Sequence, residues 1–162
     1  NYLLKNGHAK KILIIDLDVH QGNGTAHVFL DNPKVFTFSM HGAKNFPFIK
    51  EKSDLDVELQ DGITDKDYLN LLVSQLYDIF ENIKPDFVFY QAGVDILSSD
   101  KLGKLKVSKE GCKQRDYLVI NRCHQLRIPI QISMGGGYSV HIKDIVDAHV
   151  ATYKTAVDIF DF

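Results

Sequence analysis

Two acids and an imidazole stand at alternate positions in ILIIDLDVHQGNG, residues 12–24, as Asp16, Asp18 and His20. Side chains at i, i+2 and i+4 of a strand share a face, so the three point one way while Leu17 and Val19 bury on the other. Two anions and an imidazole on one face repel and desolvate each other unless a cation neutralises them. A bound metal is the economical explanation. The bland alternative, a solvated strand end with a few polar residues, suits such an apolar strand poorly. Asp95 ends a second run of this kind, FVFYQAGVD. With Asp18 and His20 it would make an O/N/O donor set leaving one or two positions open for water and substrate, as catalytic zinc sites do. Taken alone, Asp95 reads equally well as a helix cap or turn former. A third run, PIQISMGGGYS, puts three glycines before Tyr138. The glycines let backbone approach a ligand, and Tyr138 could donate a hydrogen bond to the oxyanion of a tetrahedral intermediate. A plain glycine turn followed by a packing tyrosine is the competing reading. A phosphate cradle is weak, because the run lacks both the G-x-G-x-x-G spacing and the P-loop lysine.

Elements that could position these residues follow from hydrophobic pattern. Four short apolar runs, at 11–19, 34–40, 86–92 and 129–134, are nearly continuous rather than alternating, as in strands covered on both faces. The sequence predicts a helix over 66–83 with Leu69, Leu72, Val73, Leu76, Phe80 and Ile83 on one stripe. Thr64 and Asp67 resemble a capping box at its start. A second helix is expected after Ser108, with Cys112, Val119, Cys123 and Leu126 on its apolar side. A third is expected after Ser139, with Ile142, Ile145, Val146, Tyr153 and Val157 facing inward. Residues 42–64 read as a long loop carrying Phe46 and Phe48, and long loops are often functional. Strand and helix alternation implies an α/β fold of three layers, a mainly parallel β-sheet flanked by helices. Ligands in such sheets bind at the carboxyl ends of the strands, where Asp16, Asp18, His20, Asp95 and Tyr138 fall.

The totals bound the function. A chain of 162 residues is most simply one domain or a large part of one. A net charge of −2 with scattered Lys and Arg gives no reason to expect nucleic acid as direct partner, and the charges read as solvated surface. Cys112 and Cys123 fall in one expected helix. Eleven residues at ~1.5 Å rise separate them by ~16 Å, beyond the ~7 Å Cα limit for a disulfide. Buried thiols in a reducing cytosol are expected instead. No apolar run approaches the ~20 residues of a membrane span, and no signal peptide is visible. The chain starts at Asn1 in what reads as the end of a helix capped at Gly7, as if mid-fold. Of the other histidines, His149 reads as a satisfied core residue, His27 as outward on a short helix after the glycines, and His8, His124 and His141 as surface. His41 lies beside Ser39 and is not expected to be a ligand.

DLDVHQGNGT, FSMH, QAGVDIL with DKLGKLKVS, and GGGYS, in this order, resemble the histone deacetylase superfamily over nearly the whole chain. Gln21-Gly22-Asn23 looks most like its class IV branch. The resemblance implies an arginase/deacetylase-like fold, of which residues 1–162 would be the C-terminal portion of one catalytic domain. It implies that Asp18, His20 and Asp95 ligate zinc and that Tyr138 polarises the acyl carbonyl. Asp16 would match a buried acid that hydrogen-bonds a catalytic histidine and helps hold a structural K+ or Na+, with Ser39 and main-chain carbonyls of Asp18, His20 and Met40. A second monovalent site would fall near Phe29, Asn32, Val35 and Tyr68. Phe46 and Leu102 match positions lining an acyl-lysine tunnel, and Gly93 and Gly136 are backbone positions of the matched motifs. Gln21 stands where many members have a second histidine that is not a ligand. The family's paired catalytic histidines lie upstream, and no His-His pair occurs here.

The leading expectation is therefore a zinc-dependent deacylase acting on N-acetyl-lysine in a protein or on a related small acetylated amine. Without the histidine pair that carries the proton, these residues alone are expected to be inactive. A two-metal ureohydrolase-like enzyme and a non-catalytic, metal-containing binding module are the alternatives. A cytoplasmic location, or a nuclear one in a eukaryote, fits the composition.

Overall fold

The apolar runs become strands of a five-stranded sheet. The computed structural model describes residues 1–161. Its strands are β1 (Ile12–Asp16), β2 (Val35–Gly42), β3 (Leu55–Leu59), β4 (Phe87–Ala92) and β5 (Ile130–Met134). Its helices are α1 (Tyr2–Lys5), α2 (Asn23–Phe29), α3 (Asp65–Ile83), α4 (Lys109–Gln125) and α5 (Ile142–Phe160). The order across the sheet is β3-β2-β1-β4-β5, and every neighbouring pair is parallel. The chain walks outward from β1 to β3, returns to the other side of β1 as β4, and walks outward again. Loops leaving β1 and β4 therefore diverge at a topological switch point, which opens a crevice at the carboxyl ends of both strands.

Alternation along the central strands divides the core in two. Leu13, Ile15, Val88 and Tyr90 pack with Leu72 and Leu76 of α3 and Val119 of α4. Ile12, Ile14, Phe87 and Phe89 face the other way, with Leu3 and Leu4 of α1 and Phe29 of α2. Helices on both faces make three layers, as the sequence implies. Cys112 and Cys123 are free and buried on α4, where burial pushes their thiols up to about 11 and about 12. Gly7, at φ +72°, follows α1 in the left-handed region that glycine adopts without strain. Among the described residues, no helix is long and apolar enough to cross a membrane.

Several expectations need correction. The expected loop over 42–64 contains β3, whose Leu55, Val57 and Leu59 alternate with acids because it is an edge strand. Thr64 is the N-cap of α3 but makes no side-chain capping bond, so the capping box with Asp67 does not form. Its backbone bridges to Lys106 instead. The apolar stripe of α5 does not face inward as a whole: Ile145 packs on the core, while Ile142, Val146, Tyr153 and Val157 are exposed. The buried side of α5 is Ala148, Thr152 and Thr155, because the helix docks on α4 through small and hydroxyl side chains. Val73 and Leu126, expected on the inner sides of α3 and α4, are likewise exposed. Finally, the charges are not all solvated. Arg115 and Asp116 of α4 are fully buried.

Candidate metal centre

Loops leaving the two central strands bring three donor atoms together. His20 Nδ1 lies 3.0 Å from Asp18 Oδ1 and 3.1 Å from Asp95 Oδ2. One donor atom from each residue lies within 4.8 Å of the other two. Main-chain amides fix both carboxylates: Val19 N donates to Asp95 Oδ1 at 2.8 Å and Gly136 N to Asp18 Oδ2 at 2.7 Å. The oxygens facing His20 are thereby held toward a common point, the way outer partners orient metal ligands. The His20 amide also donates to Asp18 Oδ1 at 2.9 Å. Leu17 and Val19 are buried in the main core on the opposite side.

Close backbone approach is part of the construction. A Cβ on Gly93 would collide with the Asp18 carboxylate, and one on Gly136 with that of Asp95. Only glycine permits these approaches.

The donor set suits a divalent ion. Tetrahedral bonds of about 2.1 Å to N and O ligands give donor separations of about 3.4 Å, and the two observed N–O separations, 3.0 and 3.1 Å, fall just inside that. Without an ion, protons take its place. The Asp95 carboxylate, chiefly, and Asp18 push the His20 imidazole up to about 9 against the effect of burial. Burial pushes Asp95 up to about 6. Burial raises Asp18 too, but its hydrogen bonds to Asp95 and to the His20 and Gly136 amides outweigh this and hold it below the usual range. Proton and metal thus compete for Nδ1. Zinc added to metal-free protein near neutral pH is expected to release a proton, and its affinity should climb with pH until the His20 value of about 9 is passed. Calorimetry in two buffers of different ionisation enthalpy checks this; an enthalpy independent of buffer would contradict it.

Tyr138 stands beside the triad, its ring edge-on to His20 at 6.1 Å between centroids. Burial, then Asp95, Asp18 and Asp100, push its phenol up, so it remains a hydroxyl donor. Asp100, which the sequence did not single out, holds the surrounding backbone. It accepts from Tyr138 N at 2.6 Å through one oxygen and from Leu102 N and Gly103 N at 2.8 Å through the other. Phe46 and Leu102 are both exposed on loops, which Asn45 joins by donating to Leu102 O at 2.8 Å. Lys50 Nζ organises the Phe46 loop from within, donating to the carbonyls of Ala43, Asn45 and Pro47. Gln21 ties that loop to the His20 segment, with Nε2 donating to Glu51 O and Glu51 N donating to Oε1.

Asp16 lies beneath the triad, accepting from Asp18 N at 3.1 Å, and burial pushes it up to about 7. Its register partner on β2 is Ser39. Ser39 Oγ lies 2.9 Å from Nδ1 of the fully buried His41, and the Met40 side chain is in the core. The second monovalent set does not assemble. Phe29, Asn32 and Val35 line one cavity with Ser53, whereas Tyr68 is fully buried in the other core cluster against α4. His149 is half-buried with no hydrogen-bond partner for Nδ1, so it is not the satisfied core residue expected. Its helix turns that face toward an open apolar groove with Met134 and Tyr153.

Arg115 and Asp116 were missed entirely. The signal was present: both fall inside the apolar stripe formed by Cys112, Val119 and Cys123.

The histone deacetylase domain profile matches residues 1–153. The chain belongs to the histone deacetylase family. It is 46% identical over 156 residues to an uncharacterized protein of Picosynechococcus sp., covering 96% of this chain and 52% of that protein. It is 37% identical over 131 residues to histone deacetylase 2 of Arabidopsis thaliana, covering 79% of this chain and 34% of that one. A histone deacetylase homologue from Aquifex aeolicus superposes with TM-score 0.80 at 27% identity, over 96% of this chain and 44% of that chain. Acetylpolyamine aminohydrolase from Burkholderia pseudomallei shares the fold, with TM-score 0.80 at 18% identity over 95% of this chain and 47% of that chain. The chain thus spans about half the length of the first of these relatives and a third of the second.

Proposed function

We propose that the protein containing this chain is a zinc-dependent deacylase that hydrolyses the amide of N-acetyl-lysine in a protein, or of a related small acetylated amine. The observation that carries this reading is the convergence of His20 Nδ1, Asp18 Oδ1 and Asp95 Oδ2 beside Tyr138, in a chain of the histone deacetylase family. Asp18, His20 and Asp95 would hold the ion. The chemistry such an ion would supply is Lewis-acid polarisation of an acyl oxygen and activation of water near neutral pH.

The chain's own residues supply the rest of what they can. Tyr138 donates its hydroxyl to the acyl oxygen as negative charge develops there. Asp100 fixes the Tyr138 main chain in place for that role. Phe46 and Leu102, exposed on loops that Asn45 joins, are proposed to offer apolar surface to the methylene stem of a lysine or of an alkyl amine, and Gly136 to leave room for backbone against the site. Asp16, Ser39 and the carbonyls of Asp18, His20 and Met40 are proposed to hold a structural K+ or Na+. The proton acceptor is proposed to come from residues outside these 162, as a C-terminal portion of a longer catalytic domain would require, since the chain has no His-His pair. Among the described residues, Asp18, His20 and Asp95 form the one cluster of metal-ligating side chains, which favours a single ion over a two-metal ureohydrolase-like site.

Tyr138→Phe in the intact protein is the test. Turnover of an acetyl-lysine reporter should fall by about 10²- to 10³-fold, the usual cost of one oxyanion donor, with zinc content unchanged. Unchanged turnover would remove the hydroxyl from the mechanism.

A further inference from the structure

Arg115 and Asp116 are both fully buried in the middle of α4. Taking an ion pair out of water is unfavourable unless its remaining protons and lone pairs find partners, so those partners reveal its use. Asp116 accepts from Arg115 Nε at 2.9 Å, from Thr152 Oγ1 of α5 at 2.7 Å and from the Tyr90 hydroxyl of β4. Held this way, the guanidinium reaches past Asp116. Its Nη1 donates to two main-chain carbonyls, Leu17 O at 3.3 Å and Gly93 O.

Those carbonyls lie where the sheet stops. The β1–β4 pairing ends at Asp16 and Gln91, with one more bond from Leu17 N to Gln91 O. Beyond it the two chains carry Asp18 and Asp95, and they run so close that Gly93 admits no Cβ against Asp18. Leu17 immediately precedes Asp18, and Gly93 stands two residues before Asp95. Nη1 alone thus bridges both backbones just before their ligands, while Nε and Nη2 of the same rigid plane are held by Asp116. We propose that Arg115, oriented by Asp116, is a positioning residue for the metal centre, clamping the Leu17 and Gly93 carbonyls and so setting the separation of the Asp18 and Asp95 carboxylates. This rests on the metal-site reading above.

The experiment must separate positioning from plain stability. Arg115→Met with Asp116→Asn removes both charges, keeps an acceptor for Tyr90, offers Thr152 Oγ1 an amide donor while that hydroxyl donates to Ala148 O, and leaves no donor for the two carbonyls. Arg115→Lys keeps a charge beside Asp116 but cannot span both carbonyls and the carboxylate. Cobalt(II) is titrated into each intact, metal-free protein while visible absorption reports the ligand geometry. Both variants should melt cooperatively yet bind cobalt about 10- to 100-fold more weakly than wild type, the usual cost of losing an outer partner of a metal ligand, with an altered visible spectrum. Either variant, folded by its own melting curve, binding cobalt with wild-type affinity and spectrum would overturn the proposal. Wild-type protein that binds neither cobalt nor zinc would instead overturn the metal-site reading, and the proposal with it. The lysine variant keeps the test decisive should the double variant not fold.

Discussion

Asp95→Asn is expected to strip zinc from the intact protein and take hydrolysis with it, while the metal-free fold melts close to wild type. Asparagine has the shape of aspartate, and its oxygen can still accept from Val19 N. It offers the ion no anionic oxygen. Losing an outer partner of a ligand weakens metal binding by about 10- to 100-fold, and losing a direct ligand should exceed that. The metal-free protein, by contrast, sheds a buried carboxyl that burial already pushes up to about 6, and so gives up little. Zinc per chain after dialysis against a chelator, read beside the melting curve, checks both halves. Variant protein that retains one zinc per chain under conditions that leave wild type loaded would show that Asp95 is no ligand.

Asp116→Ala should produce the largest loss of stability of any single substitution named here. It strands Arg115 as an uncompensated charge in the core, leaves the Tyr90 hydroxyl without its acceptor and leaves Thr152 only its longer bond to Ala148 O. Breaking a buried pair on one side costs about 3–5 kcal/mol. Exposed pairs such as Lys143–Asp147 offer the contrast, because solvent screens them and their removal should be barely measurable. Denaturant unfolding of the intact protein decides it. A loss indistinguishable from that of a surface pair would mean the buried network holds nothing together.

What was legible in the sequence follows from what burial does to pattern. Strands covered on both faces are apolar nearly throughout, so β1, β2 and β4 stand out as runs, and with them the α/β layers; β5 is not covered on both faces as expected, being the other edge strand with Gln131 and Met134 exposed. The edge strand β3 does not stand out, because only Leu55, Val57 and Leu59 face the interior, and its signature is alternation rather than an unbroken apolar run. Helical periodicity in α5 showed which side chains share a face but not which face meets this chain. Thr152, drawn to Asp116, turned Val146 and Tyr153 outward. Asp18, His20 and Asp95 were legible because polar groups at the end of an apolar strand have few explanations. Asp100 was not, since its three amide partners are brought to it by the fold of two separate loops. Arg115 and Asp116 could have been found, because charges inside an apolar helical stripe must meet partners in the core.

The most direct measurement is anomalous diffraction at the zinc edge from crystals of the intact protein grown with zinc. A single peak about 2.0–2.2 Å from His20 Nδ1 and from one oxygen each of Asp18 and Asp95 is the predicted result. A peak held by other side chains, with these three left hydrogen-bonded to one another, would contradict it.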